Sequence, residues 1–248
     1  MLLLAGELPE SWIPPAHILE LRTLVRLRMT LIDQRSAWQQ RIHAQLFHQG
    51  APAGLRPRTV AGREALARAE LSPAGRELVA LGLRMLDVFD LELAPLDRQL
   101  RAFARRQPGC RALIERLYGV GPVSATAILA ELGDCRRFSC SDNAVRHAGL
   151  DVTVYQSADK RAPGHLSHEG PELLRWALYE AAVSAARAGS PDHAYYLQVA
   201  QRLGHTRACL SVARKLCRRA NHILRELGEE ALAPTDQPTE KEEIAAAA

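Results

Sequence analysis

Lysine and aromatic side chains are scarce in this chain of 248 residues, and both scarcities narrow its class. Aromatics make up 5%, and with Leu, Ala and Arg dominant the composition favours helix over sheet. Lys160, Lys215 and Lys241 are the only lysines, so the other 29 of the 32 basic residues are arginine. No apolar run approaches the roughly 20 residues of a membrane span. Met1 to Ala5 is too short for a signal peptide and lacks a basic flank. These absences predict a cytoplasmic protein with no membrane partner. The five cysteines, Cys110, Cys135, Cys140, Cys209 and Cys217, form no C-x-x-C pair, and no histidine spacing completes a zinc site. Reduced, mostly buried thiols are expected, with no metal held by this chain. A Walker-type phosphate loop is also missing.

The richest stretch runs from Gly119 to Asp134, a Gly-x-Gly turn feeding an amphipathic helix, the pattern of a helix-hairpin-helix. Glycine permits backbone angles closed to other residues, and Pro122 suits a first helical turn. The amides of Gly121, Val123 and Ser124 are then expected at a positive helix terminus, a seat for a phosphate. Gly119 and Gly121 would make sequence-independent contact with a nucleic-acid backbone. The alternative is a structural joint whose glycines only let two helices pack closely.

Charge is unevenly placed. The net charge is +4, but Glu229 to Glu243 holds six acids against Lys241, so the remainder carries +9. Between His193 and Arg225 there is no acid, whereas Arg202, Arg207, Arg214, Lys215, Arg218, Arg219 and Arg225 are basic. Such a patch fits a polyanion.

Along the chain, residues 1–17 form a proline-stiffened linker with a short remnant before it. Residues 18–107 predict a coiled-coil hairpin. One long helix runs from Ile18 to about Phe47, with apolar positions Leu21, Leu24, Leu31, Trp38, Ile42 and Leu46. After a short helix, a second runs from Pro73 to about Arg106, with a kink at Pro95. Its stripe is Leu78, Leu81, Met85, Phe89, Leu93, Leu96, Leu100 and Phe103. Neither helix can bury its stripe alone, so packing between them or with a second subunit, as a homo-oligomer, is expected. Asp33, Asp87, Asp90 and Asp97 read as solvated helix-face charges. Residues 108–228 form a helical domain with the helix-hairpin-helix at 110–133. Within it, Asp151 to Gln156 alternates like a strand before a polar loop from Ser157 to Gly170. The tail, 229–248, is acidic and disordered in composition. The fold class is mainly α.

The order of these features resembles a known family. The Gly119–Asp134 segment is followed by Arg137-Phe, His147-Ala-Gly-Leu-Asp, Tyr155-Gln-Ser, Gly164-His-Leu-Ser, Gly170, Leu174-Arg-Trp-Ala-Leu and Ser211-Val-Ala-Arg-Lys-Leu. Together they resemble the carboxy-terminal transposase domain of the bridge-RNA-guided insertion sequences, the "IS one-ten" or DEDD group. Leu8-Pro-Glu-Ser-Trp-Ile-Pro-Pro and Arg41-Ile-His-Ala-Gln-Leu resemble the same family's linker and coiled coil. The resemblance implies a DNA transposase whose nucleophile is Ser157, which would attack a DNA phosphodiester and form a transient phosphoserine link. It implies magnesium on four acids of a RuvC-like amino-terminal domain, with DNA and a guide (bridge) RNA as partners. Lys160, Arg161, Arg175, Arg214 and Lys215 would hold nucleic-acid backbone.

This chain departs from the family at Ala158, where glycine is common, and at His168-Glu-Gly-Pro, where a basic residue and Gly-Asn are common. Because the linker begins so near Met1, the chain is expected to be a truncated copy or one with a mis-assigned start. It would then bind nucleic acid without catalysing strand transfer alone. The rival functions are a non-enzymatic helix-hairpin-helix DNA-binding protein or transposition inhibitor, and a structural coiled-coil assembly protein.

Overall fold

A computed structural model describes residues 12–51, 54–153, 156–157, 160–161 and 164–234, with backbone alone for 156, 157, 160 and 161. The described residues are mainly helical, as the composition predicts. The helices are α1 (Ala16–His48), α2 (Val60–Arg68), α3 (Pro73–Arg106), α4 (Pro108–Arg116), α5 (Pro122–Leu132), α6 (Ser141–His147), α7 (Glu172–Val183), α8 (His193–Leu203) and α9 (His205–Leu227). Two short strands, β1 (Gln156–Ser157) and β2 (Lys160–Arg161), pair antiparallel. No helix among the described residues is long and apolar enough to cross a membrane. The chain divides into two compact units, Leu24–Gln99 and the remainder.

In the Leu24–Gln99 unit, α1 and α3 run antiparallel, and their contacts recur every seven residues along α1. Arg28 Nε donates to Asp97 Oδ1 at 2.5 Å, and Arg35 Nη1 donates to Asp90 Oδ1 at 2.7 Å. Ile42 lies over Gly82, where a Cβ would come within 2.7 Å of Ile42 Cγ1. Gln49 Nε2 donates to Ser72 Oγ at 2.9 Å. Seven residues are close to two turns of an α-helix, so this spacing keeps one face of α1 turned toward its partner. Ile42, Leu46, Leu66, Val79 and Leu86 form the buried cluster, flanked by Trp38, Leu55, Leu71 and Leu83.

Two details differ from the sequence expectation. The stripe of α3 follows Phe89, Leu93 and Leu96 as expected, but toward the amino end it runs through Val79, Gly82 and Leu86, leaving Leu81 40% exposed. Gly82 is the reason: its missing side chain draws that face against Ile42. Of the four aspartates read as solvated, Asp33 is exposed, and the other three are ion-paired: Asp87 with Arg63, Asp90 with Arg35 and Arg58, and Asp97 with Arg28. The Arg63 hydrogen bond holds the Asp87 carboxyl below its ordinary range.

The other unit is built around α5. Every residue from Ala125 to Leu132 is buried, so this helix is a core element rather than an amphipathic one. Its polar members are accommodated internally. Thr126 Oγ1 donates to Val123 O at 2.8 Å, and Glu131 lies 3.8 Å from Arg22. α4 and α7 pack against α5, and α9 packs against α4, α6, α7 and α8. The buried face of α9 (Ala208, Cys209, Val212, Ala213, Leu216, Cys217, Ala220, Ile223, Leu224) repeats at helical spacing. Trp12, in the linker stretch, packs on Gly133 (φ 60), with Arg22 and Arg137 over its ring at 5.6 and 5.2 Å.

At the other end, Gly228–Leu232 is a 3-10 helix with Ala231 and Leu232 buried, so the acidic segment starts as packed structure. Gln107 Nε2 donates to Ala231 O at 3.0 Å, and His17 Nε2 lies 2.8 Å from Leu232 O. The cysteines are free thiols, four buried and Cys140 exposed. Burial pushes Cys135 and Cys217 up to about 12.

Candidate nucleic-acid interface

The α4–α5 turn separates its two glycines into different roles. Gly119 has φ 85, a conformation that favours glycine, and a Cβ there would overlap Ser184 Oγ and lie 2.5 Å from Ala181 O. Internal packing therefore requires Gly119. Gly121 has φ −98, open to any residue, and a Cβ there would meet nothing within 4 Å. No feature of the described residues demands glycine at 121.

The Gly121 amide, expected to face a phosphate, instead donates to Ser124 Oγ at 2.9 Å, and that hydroxyl donates back to Gly121 O at 3.0 Å. This local bond organises the helix start and leaves the amides of Val123 and Ser124 as the outward donors. Pro122 begins the helix, and no acidic side chain lies in its first turn. Beside the turn, Tyr118 is 40% exposed, and exposed Arg187 follows the 3-10 segment Ser184–Ala186 against which Gly119 packs. Arg187 was not singled out by the sequence, where it is a lone arginine in an alanine-rich stretch.

Described residues on either side of Ser157 pair antiparallel. Thr153 N donates to His165 O at 2.8 Å, and Ser167 N donates to Asp151 O at 3.1 Å. Ser167 Oγ donates to Asp151 Oδ1 at 2.5 Å, and Val152 bridges Leu166. Farther along, Gln156 pairs with Arg161 and Ser157 with Lys160. Gly164 allows the arms to meet, since a Cβ there would overlap Thr153 O and Val152. Of the strand expected at 151–156, the described residues Val152 and Gln156 pair with Leu166 and Arg161, inside the supposed loop. The side chains of Ser157, Lys160 and Arg161 lie outside the described residues.

Arginines tie down the feet of this hairpin. Arg175 Nη1 donates to Gly170 O at 2.6 Å and reaches Ala148 O at 3.4 Å. Arg214 Nε donates to Leu150 O at 2.6 Å, and burial lowers its pKa. Next to Ser167, His168 has φ 57, the single non-glycine with positive φ among the described residues. That conformation is strained for a residue bearing a Cβ.

The basic run on α9 is also largely engaged. Arg219 binds both oxygens of Asp192 at 2.5 and 2.9 Å, and Lys215 Nζ lies 3.1 Å from Asp192 Oδ1 and 4.1 Å from the Tyr195 ring centroid. Asp192 is 3% exposed. Burial pushes its carboxyl up, but the hydrogen bonds from Arg219 and Lys215 outweigh that and hold it below its ordinary value. Arg218 donates to Asp142 and Arg225 to Phe138 O, both at 2.6 Å. Arg202 and Arg207 remain outward, at the tip where Gly204 (φ 82) reverses the chain. Among the described residues no group of three or more His, Cys, Asp or Glu side chains is placed to hold a metal ion.

The match to a family model falls on this unit. The family described as "Transposase IS116/IS110/IS902 family" matches residues 111–197, from α4 into α8. The "Insertion element IS116 uncharacterized 44.8 kDa protein" of Streptomyces clavuligerus is 26% identical over 207 residues, 82% of this chain and 50% of the relative. A "Probable family 20 transposase" of Pseudomonas aeruginosa is 26% identical over 171 residues, 67% of this chain and 50% of the relative. The chain therefore spans about half the length of the curated relatives it matches. Residues 111–197, which carry both the α4–α5 turn and the serine hairpin, are similar to the transposase domain of the IS116/IS110/IS902 family.

Proposed function

We propose that this chain is the DNA-handling part of an insertion-sequence transposase. The observation that carries the reading is the family match over 111–197, which takes in the turn and the hairpin together. In this reading the amides of Val123 and Ser124 hold a DNA phosphate at the positive end of α5, a contact blind to base sequence. Ser157, opposite Lys160 near the hairpin tip, is the nucleophile. Its Oγ loses its proton and attacks phosphorus, the bond from phosphorus to the leaving deoxyribose oxygen breaks, and that oxygen takes up one proton in exchange as the phosphoserine ester forms. Lys160 and Arg161 offer positive charge beside the scissile phosphate. Arg175 and Arg214 serve the site through the backbone carbonyls at the feet of the hairpin.

The magnesium implied by the resemblance finds no ligand set among the described residues, so no step here runs through it. A guide RNA is the second nucleic-acid partner in this reading. Self-association would run through the α1–α3 hairpin, where Leu81, Val88 and Leu91 are exposed at 40%, 48% and 71%.

The test is to incubate the full chain with duplex DNA and look for a protein–DNA adduct on a denaturing gel. Supplied with magnesium and the acidic amino-terminal domain that the resemblance implies, the wild type should form an adduct and Ser157→Ala should not, with equal DNA binding by both. An adduct that survives in Ser157→Ala refutes the serine. DNA binding with no wild-type adduct reduces the chain to a binding protein.

A further inference from the structure

The α3–α4 junction carries exposed positive charge. From residue 100 to residue 114 there is no Asp or Glu, but Arg101, Arg105, Arg106 and Arg111 fall in this interval. Arg105, Arg106 and Arg111 are exposed. Arg105 and Arg106 occupy the last turn of α3, where cations complement the helix dipole. That local benefit does not extend to Arg111. It lies near the amino end of α4, where the dipole disfavours a cation, and it makes no ion pair with Glu115 one turn on.

The backbone beneath is packed. Gln107, Gly109 and Cys110 are buried, Gln107 bonds Ala231 O at 3.0 Å, and a Cβ on Gly109 would lie 2.5 Å from the same oxygen. Three long cations are thus mounted on a packed platform, facing solvent. The other end of α4 leads into the turn that presents the Val123 and Ser124 amides. Nine residues of helix place the two ends about 13 Å apart, close to the roughly 12 Å width of the B-DNA major groove.

We propose that Arg105, Arg106 and Arg111 form a second phosphate-binding surface for duplex DNA, gripping one strand across a groove from the strand held at the α4–α5 turn. The inference rests on the DNA-handling reading above. It selects B-form duplex because the deep, narrow major groove of A-form RNA does not match this spacing.

The experiment is fluorescence anisotropy of the full chain with a random-sequence duplex of about 30 base pairs, from about 50 to about 300 mM salt. Replacing all three arginines by alanine should weaken binding at least tenfold at low salt. The slope of log affinity against log salt should shrink by about three, near 0.9 per lost phosphate contact. The lysine triple variant should keep most of the slope, and melting temperature should match the wild type in both. An alanine triple variant with wild-type affinity and slope overturns the proposal. So does a variant that loses binding to a structured RNA hairpin but keeps duplex DNA. A wild type that binds no DNA refutes the DNA-handling reading itself, and is told apart because the loss precedes any mutation.

Discussion

Two basic regions of this molecule look alike in sequence and differ in use. The run on α9 holds Arg214, Lys215, Arg218, Arg219 and Arg225, and each has a partner within the chain: Leu150 O, Asp192, Asp142, Asp192 and Phe138 O. At the α3–α4 junction, Arg105, Arg106 and Arg111 are exposed in an interval, 100–114, that holds no acid. The denser run is mostly structural, and the sparser one is spare charge. A count of arginines therefore does not locate a polyanion surface. What matters is whether each guanidinium already has a carboxylate or a bare carbonyl to satisfy.

Substitutions sharpen that contrast. A large loss should come from Arg219→Ala, which strips the bidentate partner from buried Asp192 and leaves it Lys215, at a cost of about 1.5 to 3 kcal/mol in denaturant unfolding. The same site predicts a pH dependence. The Asp192 pKa is depressed in the folded state, so its contribution is fully present above the unfolded-state value of about 3.9 and is lost as pH falls through the lower folded value. Stability measured from neutral pH down through that window should fall less steeply in Asp192→Asn than in the wild type.

The turn offers a matched pair of glycines. Gly119→Ala should cost about 2 to 4 kcal/mol, from a positive φ and overlap with Ser184. Gly121→Ala should shift stability by no more than about 0.5 kcal/mol, since its φ is ordinary and its surroundings are open. If the turn holds phosphate, the added methyl should still weaken DNA binding.

Arg214→Ala removes a charged hydrogen bond to Leu150 O and should cost about 1.5 to 3 kcal/mol. Hydrogen exchange at the Thr153 and Ser167 amides should accelerate with it, because the foot of their hairpin is released. One effect runs the other way. His168→Gly relieves a left-handed backbone and should stabilise by up to about 1 kcal/mol, read as a rise in melting temperature.

How much of this was legible depends on how far each cause lies from its effect. The long helices follow from local periodicity, and the carboxyl-terminal half of the α3 stripe follows with them. The other half shifts because Gly82 admits Ile42, a contact across 40 positions of sequence. The serine hairpin was half legible. Residues 151–153 alternate like a strand, but their partners at 165–167 sit in a Gly- and Ser-bearing stretch that looks like loop. α5 was misread as amphipathic because Thr126 and Glu131 suggest a polar face, whereas both are buried and satisfied by Val123 O and Arg22. The arginine roles were not legible. Arg214 and Arg225 bond backbone carbonyls 64 and 87 residues away, and a carbonyl leaves no mark on the residue type that carries it. Gly119 was legible as a turn residue, while the internal bond that occupies the Gly121 amide depends on Ser124 taking one rotamer.

The contrast between engaged and spare charge is tested most directly by the salt dependence of DNA binding in Arg214→Ala/Lys215→Ala, measured well below its melting temperature. The account predicts a less stable protein whose slope of log affinity against log salt equals that of the wild type. A slope smaller by about two, with stability unchanged, would place these residues on phosphate and contradict it.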